Sequence, residues 1–276
     1  MKLDQAKVMI VGCGSMGSAL IKGWISKRLG NCNYTVVTPH ESSTEVLRET
    51  GVYINWYASP DKVPSSYVPD IVVFALKPNV LQKVLPEYKK YVNDSITLIT
   101  VAAGKKLDFY QKYLGKKAAV VRVMPNLPAA YNQGISVGMA NEFVNKHQLA
   151  TAHFLFKALG KVIWLEDERA FNAVTALSGC GPAYLFLLTD CLAKAGQEAG
   201  LSKSVAEQLA RYSMIGAGTL LEHSDESPSI LKQRVASPGG VTEAALKVLE
   251  NATEGLPQLM SCAIKVAVER SKELSA

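Results

Sequence analysis

Short apolar runs alternate with longer amphipathic stretches along the first 166 residues of this 276-residue chain. Runs rich in Val, Ile and Tyr predict β-strands, and stretches with apolar residues three or four apart predict helices. The predicted strands are residues 8–11, 34–37, 70–75, 96–101, 118–124, 134–139 and 162–164. The predicted helices between them are residues 18–29, 41–50, 80–91, 107–114 and 145–159. This alternation is typical of an α/β fold with a Rossmann-like, doubly wound, mostly parallel sheet.

The strand pattern stops at about residue 168, and only helical spacing follows. The predicted helices there are residues 168–177, 182–199, 204–221, 229–235, 242–250 and 256–274. The sequence therefore predicts a Rossmann-like domain over residues 1–166 and an all-helical domain over residues 167–276. Residues 184–192 and 212–221 are apolar on more than one helical face. Burial against a second copy of the chain explains this excess, and so does a larger internal core.

A glycine-rich turn directly follows the first predicted strand. It contains Gly12, Cys13, Gly14, Ser15, Met16 and Gly17, and it leads into a helix. This is the order of a G-x-G-x-x-G dinucleotide site. The first glycine permits a tight turn, the second lets the backbone approach a diphosphate, and the third lets the helix pack closely on the sheet. The context favours dinucleotide binding over a purely structural turn.

The end of the second predicted strand bears on the choice of dinucleotide. Thr38, Pro39 and His40 follow it, at the position where NAD-binding proteins present Asp or Glu to the ribose hydroxyls. No acid ends this strand, while Thr38, His40, Ser42 and Ser43 offer hydrogen-bond donors to a 2′-phosphate. The sequence therefore predicts NADP(H) as the preferred cofactor, with NAD(H) as the alternative.

Three further strand ends carry residues suited to the floor of a cofactor site. The residues are Ala75, Leu76, Lys77 and Pro78, then Ala102, Ala103 and Gly104, then Pro125 and Asn126. Ligands of doubly wound sheets bind beyond the carboxyl ends of the strands. Lys77 offers a cation, and Asn126 can bond a carboxamide or a ribose. Each motif alone is also typical of a helix start or of close packing, but their placement after successive strands favours a cofactor site.

A second glycine-rich turn, Ser237-Pro238-Gly239-Gly240-Val241-Thr242, stands between two predicted helices. Adjacent glycines leave main-chain N–H groups unobstructed, and the positive end of the following helix dipole attracts anions. The turn is therefore a candidate cradle for a small carboxylate. A solvent-exposed loop between helices is the plainer alternative.

Composition and charge argue against several other classes of protein. The net charge of +6 comes from scattered basic residues, so no nucleic-acid partner is expected. Five cysteines without a C-x-x-C pair, and a start without a signal-like apolar run, predict a cytoplasmic protein. The longest apolar tract, residues 173–189, is broken by glycines and a proline, which predicts a buried helix and no membrane span. No histidine spacing suits a metal, so no metal is expected.

Six motifs follow one another along nearly the whole chain. They are Gly12-Cys13-Gly14-Ser15-Met16-Gly17, Leu76-Lys77-Pro78, Ala102-Ala103-Gly104, Arg122-Val123-Met124-Pro125-Asn126, Ala176-Leu177-Ser178-Gly179-Cys180-Gly181-Pro182-Ala183-Tyr184 and Ser237-Pro238-Gly239-Gly240-Val241-Thr242. Together they resemble the pyrroline-5-carboxylate reductase family, whose members make proline, and the last two motifs are the specific ones. Leu127 and Ala58 depart from the pattern, in which Thr and Asn are usual, at positions that bear on ribose or nicotinamide contacts.

The resemblance implies reduction of 1-pyrroline-5-carboxylate to L-proline with NAD(P)H, the last step of proline biosynthesis. It implies a cofactor domain and a helical domain that interlocks with its counterpart in a homodimer, with a larger ring of dimers as a further assembly. Each pocket would combine one subunit's cofactor with the other subunit's helical turn. By the same similarity, the substrate-binding residues are Val235, Ser237, Gly239, Gly240 and Thr242.

A protonated cyclic imine needs little from a reductase beyond alignment of its C=N carbon with the nicotinamide. We hypothesise that N–H groups around Gly239, Gly240 and Thr242 bind the substrate carboxylate. The Thr242 hydroxyl, the candidate catalytic group, would hydrogen-bond the ring nitrogen, although Thr242 is also placed to be a helix N-cap. Two rival classes are a reductase of the hydroxyacid dehydrogenase type, which needs a lysine earlier than Lys194 on its helix, and a non-enzymatic dinucleotide-binding protein.

Overall fold

The computed structural model describes residues 5–27, 29 and 32–275, apart from the side chains of Arg48 and Ser275. Among these residues, one sheet has the strand order β3-β2-β1-β4-β5-β6-β7-β8. The strands are β1 (Lys7–Val11), β2 (Asn33–Val37), β3 (Ile54–Tyr57), β4 (Ile71–Phe74), β5 (Thr97–Thr100), β6 (Val120–Met124), β7 (Gly134–Ala140) and β8 (Gly160–Trp164). Strands β1 to β6 are parallel, β7 is antiparallel to β6, and β8 is parallel to β7. The predicted doubly wound, mostly parallel sheet is confirmed.

The helices between the strands follow the predicted ones with shifted ends. They are α1 (Ser15–Ser26), α2 (Glu45–Arg48), α3 (Pro78–Val84), α4 (Leu107–Leu114) and α5 (Lys146–Lys157), with 3-10 turns at Glu41–Thr44, Leu85–Tyr91 and Leu127–Tyr131. Helix α1 begins at Ser15 instead of residue 18, because Gly14 is its N-cap and the helix starts inside the glycine turn. The predicted helix 80–91 becomes a 3-10 helix at Leu85, because Pro86 has no N–H for an α-helical hydrogen bond.

Strand β3 is missing from the sequence-based prediction. It is an edge strand whose four residues are all half-buried, so it lacks the uninterrupted apolar run by which buried strands are recognised. It pairs in parallel with β2, with Val36 opposite Trp56 and Val37 opposite Tyr57. The strand therefore brings the Trp56 ring beside the end of β2, where a cofactor contact is predicted.

Apolar layers cover both faces of the sheet. On one face Trp24 of α1 is fully buried, and its indole N–H donates to the carbonyl of Leu155 in α5 at 3.0 Å. Trp24 also stacks on Tyr34, with ring centroids 6.5 Å apart. On the other face, the rings of Phe74 and Tyr88 meet edge to face at 5.3 Å. Because both faces are covered, polar ligands have access only at the strand ends.

Helical structure follows β8 to the end of the described chain. A 3-10 turn (Glu168–Ala170), α6 (Phe171–Val174) and a π-helix (Thr175–Gly179) come first. Then come α7 (Gly181–Glu198), α8 (Lys203–His223), α9 (Pro228–Val235), α10 (Val241–Leu249) and α11 (Leu256–Ser275). The predicted all-helical half is confirmed, although the predicted helix 168–177 consists of three short pieces.

The chain divides into two compact units, Met1–Cys180 with Ala267–Ala276, and Gly181–Val266. The predicted domain limit follows residue 166, whereas the sheet-containing unit continues through segment 167–180 to Cys180. In the second unit, α7 and α8 form a hairpin at Gly200, which has φ +100. Ala193, Ala206 and Ala210 are buried along this hairpin, and their small side chains allow the two helices to pack closely.

Large apolar side chains stay exposed on these helices. Tyr212 of α8 is 66% exposed. Phe186 and Leu187 of α7 are 67% and 63% exposed, so the expected burial of residues 173–189 is not met within one chain. Within the described chain, Glu168–Glu198 is long and apolar enough to cross a membrane by length and composition, and 11% of its apolar 18-residue window is buried. One such stretch is weak evidence for a span. A larger internal core is one of the two explanations for the apolar surface. The single chain does not provide such a core for these side chains.

Candidate functional site

The glycine turn joins β1 to α1 where the strand order of the sheet reverses. Strand β1 has β2 on one side and β4 on the other, so the crevice beyond its carboxyl end is where ligands bind in doubly wound sheets. Gly12 has φ +94, and its N–H donates to the carbonyl of Val37 at 2.8 Å. A Cβ on Gly12 would lie 2.6 Å from the carbonyl oxygen of Ala75, and one on Gly17 would lie 2.5 Å from that of Gly12. The fold itself requires these two glycines.

Gly14 differs from the other two glycines of the motif. It is the N-cap of α1, and a Cβ added there would meet no atom within 4 Å. The N–H of Ser18 is the one that bonds to the Gly14 carbonyl, so the N–H groups of Ser15, Met16 and Gly17 have no acceptor within the helix. Open space, bare amides and the positive end of the α1 dipole together suit a diphosphate. The residues of this turn therefore fit a dinucleotide.

Cys13 lies inside the glycine turn and is 6% exposed. Burial raises the pKa of its thiol to about 11. At neutral pH the side chain is therefore uncharged, and it adds no repulsion beside the proposed phosphate position.

We expect ionisation of Cys13 to weaken the fold at alkaline pH. Because its folded-state pKa lies above the ordinary value of 9.0, its contribution to stability is complete below about pH 9 and is lost as the pH rises toward 11. The free energy of unfolding in urea, measured from pH 7 to 11, should fall less steeply for Cys13→Ala than for the wild type. Cys191→Ala, at an exposed position, is the control. Equal slopes for wild type and Cys13→Ala would contradict the prediction.

The turn after β2 is held by main-chain and indole hydrogen bonds. Thr38 is 7% exposed, and its N–H donates to the carbonyl of Tyr57 at 3.1 Å. The Trp56 indole N–H donates to the Thr38 carbonyl at 3.0 Å. His40, which follows Pro39 at the surface, is the N-cap of the 3-10 turn Glu41–Thr44 and makes no side-chain capping bond. The imidazole is therefore available to a ligand at the rim of the crevice.

The ends of β4 and β5 supply two more predicted segments. Lys77 is exposed and is the N-cap of α3, with Pro78 at the first helical position. Ala102 is buried, and its N–H donates to Thr100 Oγ1 at 3.3 Å. Gly104 has φ +74, and a Cβ there would lie 3.2 Å from Leu274 Cβ in the last turns of α11. The end of the chain thus packs directly against one loop of the site.

The side chain of Asn126, after β6, is engaged within the protein. Its Nδ2 donates to the carbonyl of Ser178 at 3.2 Å, and its Oδ1 accepts the N–H of Ile135 at 3.0 Å. One amide hydrogen remains for a ligand. Next to it, a Cβ on Gly179 would lie 2.6 Å from Met124 Cε. The Ser178–Gly179 segment therefore packs against the end of β6.

The second glycine turn lies between α9 and α10. Gly239 has φ +70, and its N–H donates to Glu243 Oε2 at 2.6 Å. The Gly240 N–H donates to the carbonyl of Ser237 at 2.9 Å, and Gly240 is the N-cap of α10. The alternative assignment of Thr242 as N-cap is therefore wrong, since Thr242 is the second residue of the helix.

These contacts change which amides are available for an anion. Two of the three predicted N–H donors, those of Gly239 and Gly240, are used inside the turn. The N–H groups of Val241 and Thr242 lie in the first turn of α10, before the first helical bond, in which the Ala244 N–H donates to the Gly240 carbonyl. The Thr242 side chain is half-buried, and no hydrogen bond to its hydroxyl forms among the described residues.

The predicted cofactor residues come together at one edge of the sheet. Residues 12–17, 38–40, 75–78, 102–104 and 125–126 follow β1, β2, β4, β5 and β6, whose carboxyl ends share that edge because the strands are parallel. The predicted substrate residues, 235–242, belong to the other compact unit. Among the described residues, no group of three or more His, Cys, Asp and Glu side chains could hold a metal ion.

Two residues beside the site were not found from the sequence. Trp56 supports the Thr38 turn, but it lies on the strand that the sequence pattern does not reveal. Glu168 bonds to Arg122, which is 46 residues away in the chain. No local pattern marks such a pair, so only the three-dimensional arrangement identifies it.

Comparison with known proteins gives matches in both halves of the chain. Residues 168–274 match the family model described as pyrroline-5-carboxylate reductase dimerisation, and residues 7–104 match that described as NADP oxidoreductase, coenzyme F420-dependent. The pyrroline-5-carboxylate reductase of Arabidopsis thaliana is 35% identical over 274 residues, which are 99% of this chain and 96% of that protein. The Pseudomonas aeruginosa reductase is 32% identical over 99% of this chain and 98% of its own length.

Solved structures are similar over the same length. A pyrroline-5-carboxylate reductase from Coxiella burnetii superposes with a TM-score of 0.85 at 32% identity, covering 99% of both chains. The Plasmodium falciparum pyrroline carboxylate reductase with NADP bound superposes with a TM-score of 0.84 at 27% identity, covering 100% of both chains. The helices with exposed apolar side chains fall within the segment that matches the dimerisation model.

Proposed function

This chain belongs to the pyrroline-5-carboxylate reductase family, and from that premise we propose that it reduces 1-pyrroline-5-carboxylate to L-proline. The full-length similarity to named reductases carries the proposal, and the crevice that fits a dinucleotide supports it. A reductase of the hydroxyacid dehydrogenase type is not favoured, because the first lysine of α7 is Lys194, more than three turns into the helix. A non-enzymatic protein is not favoured either, since the relatives named as reductases match this chain over nearly their whole length.

The proposed cofactor is NADP(H), with its diphosphate on the N–H groups of Gly14, Ser15, Met16 and Gly17. When bound, the reduced nicotinamide supplies a hydride to the imine carbon, and a proton completes the amine. The donors near the 2′-phosphate would be Thr38, after β2, and His40, at the exposed rim. The loops 75–78, 102–104 and 125–126 would form the rest of the cofactor site.

We propose that the substrate carboxylate binds to the N–H groups of Val241 and Thr242 at the start of α10. Both amides lie where the helix dipole favours an anion. The Thr242 hydroxyl would then hydrogen-bond the ring nitrogen, so that the imine carbon is fixed for attack and the developing amine keeps a polar partner. Val235, Ser237, Gly239 and Gly240 would shape the pocket around the ring.

One assay tests both the reaction and the cofactor preference. The purified protein, mixed with 1-pyrroline-5-carboxylate and NADPH, should consume NADPH absorbance and release proline. With NADH in place of NADPH, we expect kcat/KM to be at least about 10-fold lower, because no acid ends β2 to select the ribose hydroxyls. Absence of turnover with either cofactor would refute the reaction. A clearly higher kcat/KM with NADH would refute the preference alone.

The chain acts as a homo-oligomer on a small-molecule substrate. We propose the following arrangement of its subunits. The helical domain, proposed to span residues 167–276, would interlock with its counterpart in a dimer, and a larger ring of dimers is the alternative assembly. The exposed apolar side chains of α7 and α8 support this arrangement. The molar mass from light scattering would distinguish a dimer from a ring.

We also propose that the protein acts in the cytoplasm, in keeping with its five cysteines, none of which is in a disulfide.

A further inference from the structure

One carboxylate oxygen connects two elements that flank the loops assigned to the cofactor. Glu168 Oε1 accepts the N–H of Leu107, the first residue of α4, at 2.9 Å. The same oxygen accepts a hydrogen bond from Arg122 Nη1 at 2.7 Å. Leu107 closes the loop that contains Ala102–Gly104, and Arg122 lies in β6, two residues before Met124. Glu168 therefore joins the start of α4, which follows the 102–104 loop, to the middle of β6.

Arg122 is held tightly between this carboxylate and an aromatic ring. Its side chain is 4% exposed, and its guanidinium carbon lies 4.2 Å from the ring centroid of Phe171, which is 1% exposed. A guanidinium removed from water needs both a counter-ion and good geometry. The flat group stacks on the ring while its edge bonds the carboxylate. This arrangement leaves Arg122 little freedom to move.

A second polar chain runs beside the pair. In the parallel register of β5 and β6, Thr100 is opposite Arg122. The Thr100 hydroxyl donates to Tyr110 Oη at 2.6 Å and accepts the N–H of Ala102 at 3.3 Å. Desolvation raises the pKa of Tyr110 to about 12, so the phenol stays neutral. The first amide of the 102–104 loop is thus fixed by a buried hydroxyl that neighbours the ion pair.

We propose that Arg122 and Glu168 are positioning residues for the nicotinamide half of the cofactor. They act by fixing the 102–104 and 124–126 segments relative to each other. This inference rests on the proposed reductase function. It assigns neither residue a contact with the reacting atoms. The adenosine half would lie at the turn after β2. Strands β1 and β4 separate β2 from β5 and β6 in the sheet, so changes in the pair should leave adenosine binding unaltered.

The main variant is Glu168→Gln, which keeps an acceptor for the Leu107 N–H but removes the counter-ion of Arg122. We expect kcat/KM with NADPH to fall about 10- to 100-fold, since small misplacement of reacting groups has effects of this size. The primary deuterium isotope effect with NADPH labelled at the transferred hydrogen should rise, because hydride transfer becomes slower relative to the other steps. The Kd of 2′,5′-ADP, a probe of the adenosine half alone, should stay within about twofold.

Gln148→Ala is a control for general loss of stability. Gln148 is 1% exposed, and its amide bonds the carbonyl of Ile96 at 2.9 Å, at the opposite end of β5 from the site. Its loss should lower the thermal midpoint while leaving the isotope effect unchanged. Arg122→Lys provides a second variant, which keeps the charge but loses the stacked, planar group. If it folds, Arg122→Lys should also show a lower kcat/KM, a larger isotope effect and an unchanged Kd of 2′,5′-ADP.

The outcomes separate this inference from the proposed function. The inference is overturned if the folded variants keep wild-type kcat/KM and isotope effect. It is also overturned if 2′,5′-ADP binding weakens as much as kcat/KM falls, since that pattern indicates damage to the whole domain. If the wild type itself does not reduce 1-pyrroline-5-carboxylate while it still binds 2′,5′-ADP, the proposed function fails. The inference then fails as well, and the missing wild-type turnover distinguishes this case from a failure of the inference alone.

Discussion

Replacement of Thr242 by alanine should lower kcat/KM for 1-pyrroline-5-carboxylate by about 10- to 1,000-fold, the range of single proton-transfer and oxyanion donors. The hydroxyl is half-buried and has no hydrogen-bond partner among the described residues, so its loss breaks no internal bond. The helix keeps its cap, because the N-cap is Gly240. Initial rates with NADPH in excess measure the effect.

Stability measurements make this test decisive. Alanine has a higher helix propensity than threonine, so the free energy of unfolding of Thr242→Ala should change by less than about 0.7 kcal/mol. Thr242→Ser keeps the hydroxyl and should retain most of the activity. A folded Thr242→Ala protein that turns over at the wild-type rate would exclude a role of this hydroxyl in the reaction. Equal losses in the serine and alanine variants would assign the effect to the threonine methyl group instead.

Substitution of Gly14 by alanine should weaken NADPH binding without weakening the fold. The backbone at Gly14 has φ −79, which alanine adopts readily, and the added methyl group meets no protein atom within 4 Å. That empty space is where the diphosphate would approach the amides of the turn. Loss of charge-assisted hydrogen bonds there should raise the Kd for NADPH by about 10- to 100-fold. Fluorescence titration of NADPH measures the Kd.

Gly17→Ala is the matched comparison in the same motif. Its new Cβ would lie 2.5 Å from the carbonyl oxygen of Gly12, so overpacking should cost about 1–3 kcal/mol of stability in the absence of any cofactor. The two variants therefore separate a binding role from a packing role. If Gly14→Ala lowers the thermal midpoint of the unliganded protein as much as Gly17→Ala does, the diphosphate position is assigned wrongly.

The sheet was predictable from the sequence because both of its faces are covered. Val8 to Val11 and Ile71 to Phe74 are buried over their whole length, so they appear as uninterrupted apolar runs between turn residues. The Gly12 to Gly17 turn was predictable for a related reason, since close packing on Ala75 and Gly12 tolerates only glycine at its two ends. The edge strand β3 carries neither signal, because its residues are all half-buried.

The internal partners of the candidate site were not predictable in this way. The Gly239 N–H appeared free for an anion, but the side chain of Glu243, four residues later, accepts its hydrogen bond. Asn126 appeared to be a cofactor ligand, and its amide also joins Ser178 to Ile135. Hydrogen-bond acceptors of this kind are chosen by side-chain conformation and by contacts distant in the chain. Sequence spacing locates such polar groups but does not show which of their bonds are already made.

Because the exposed apolar side chains of α7 and α8 are the surface proposed to be covered in the dimer, we expect the thermal stability of this protein to depend on its concentration. A solitary chain presents Phe186, Leu187 and Tyr212 to water, and association that covers them favours the native form by mass action. We therefore expect dilution alone to lower the thermal midpoint, with the sequence and the buffer unchanged. We expect newly synthesised chains to be most prone to aggregation and proteolysis before they dimerise.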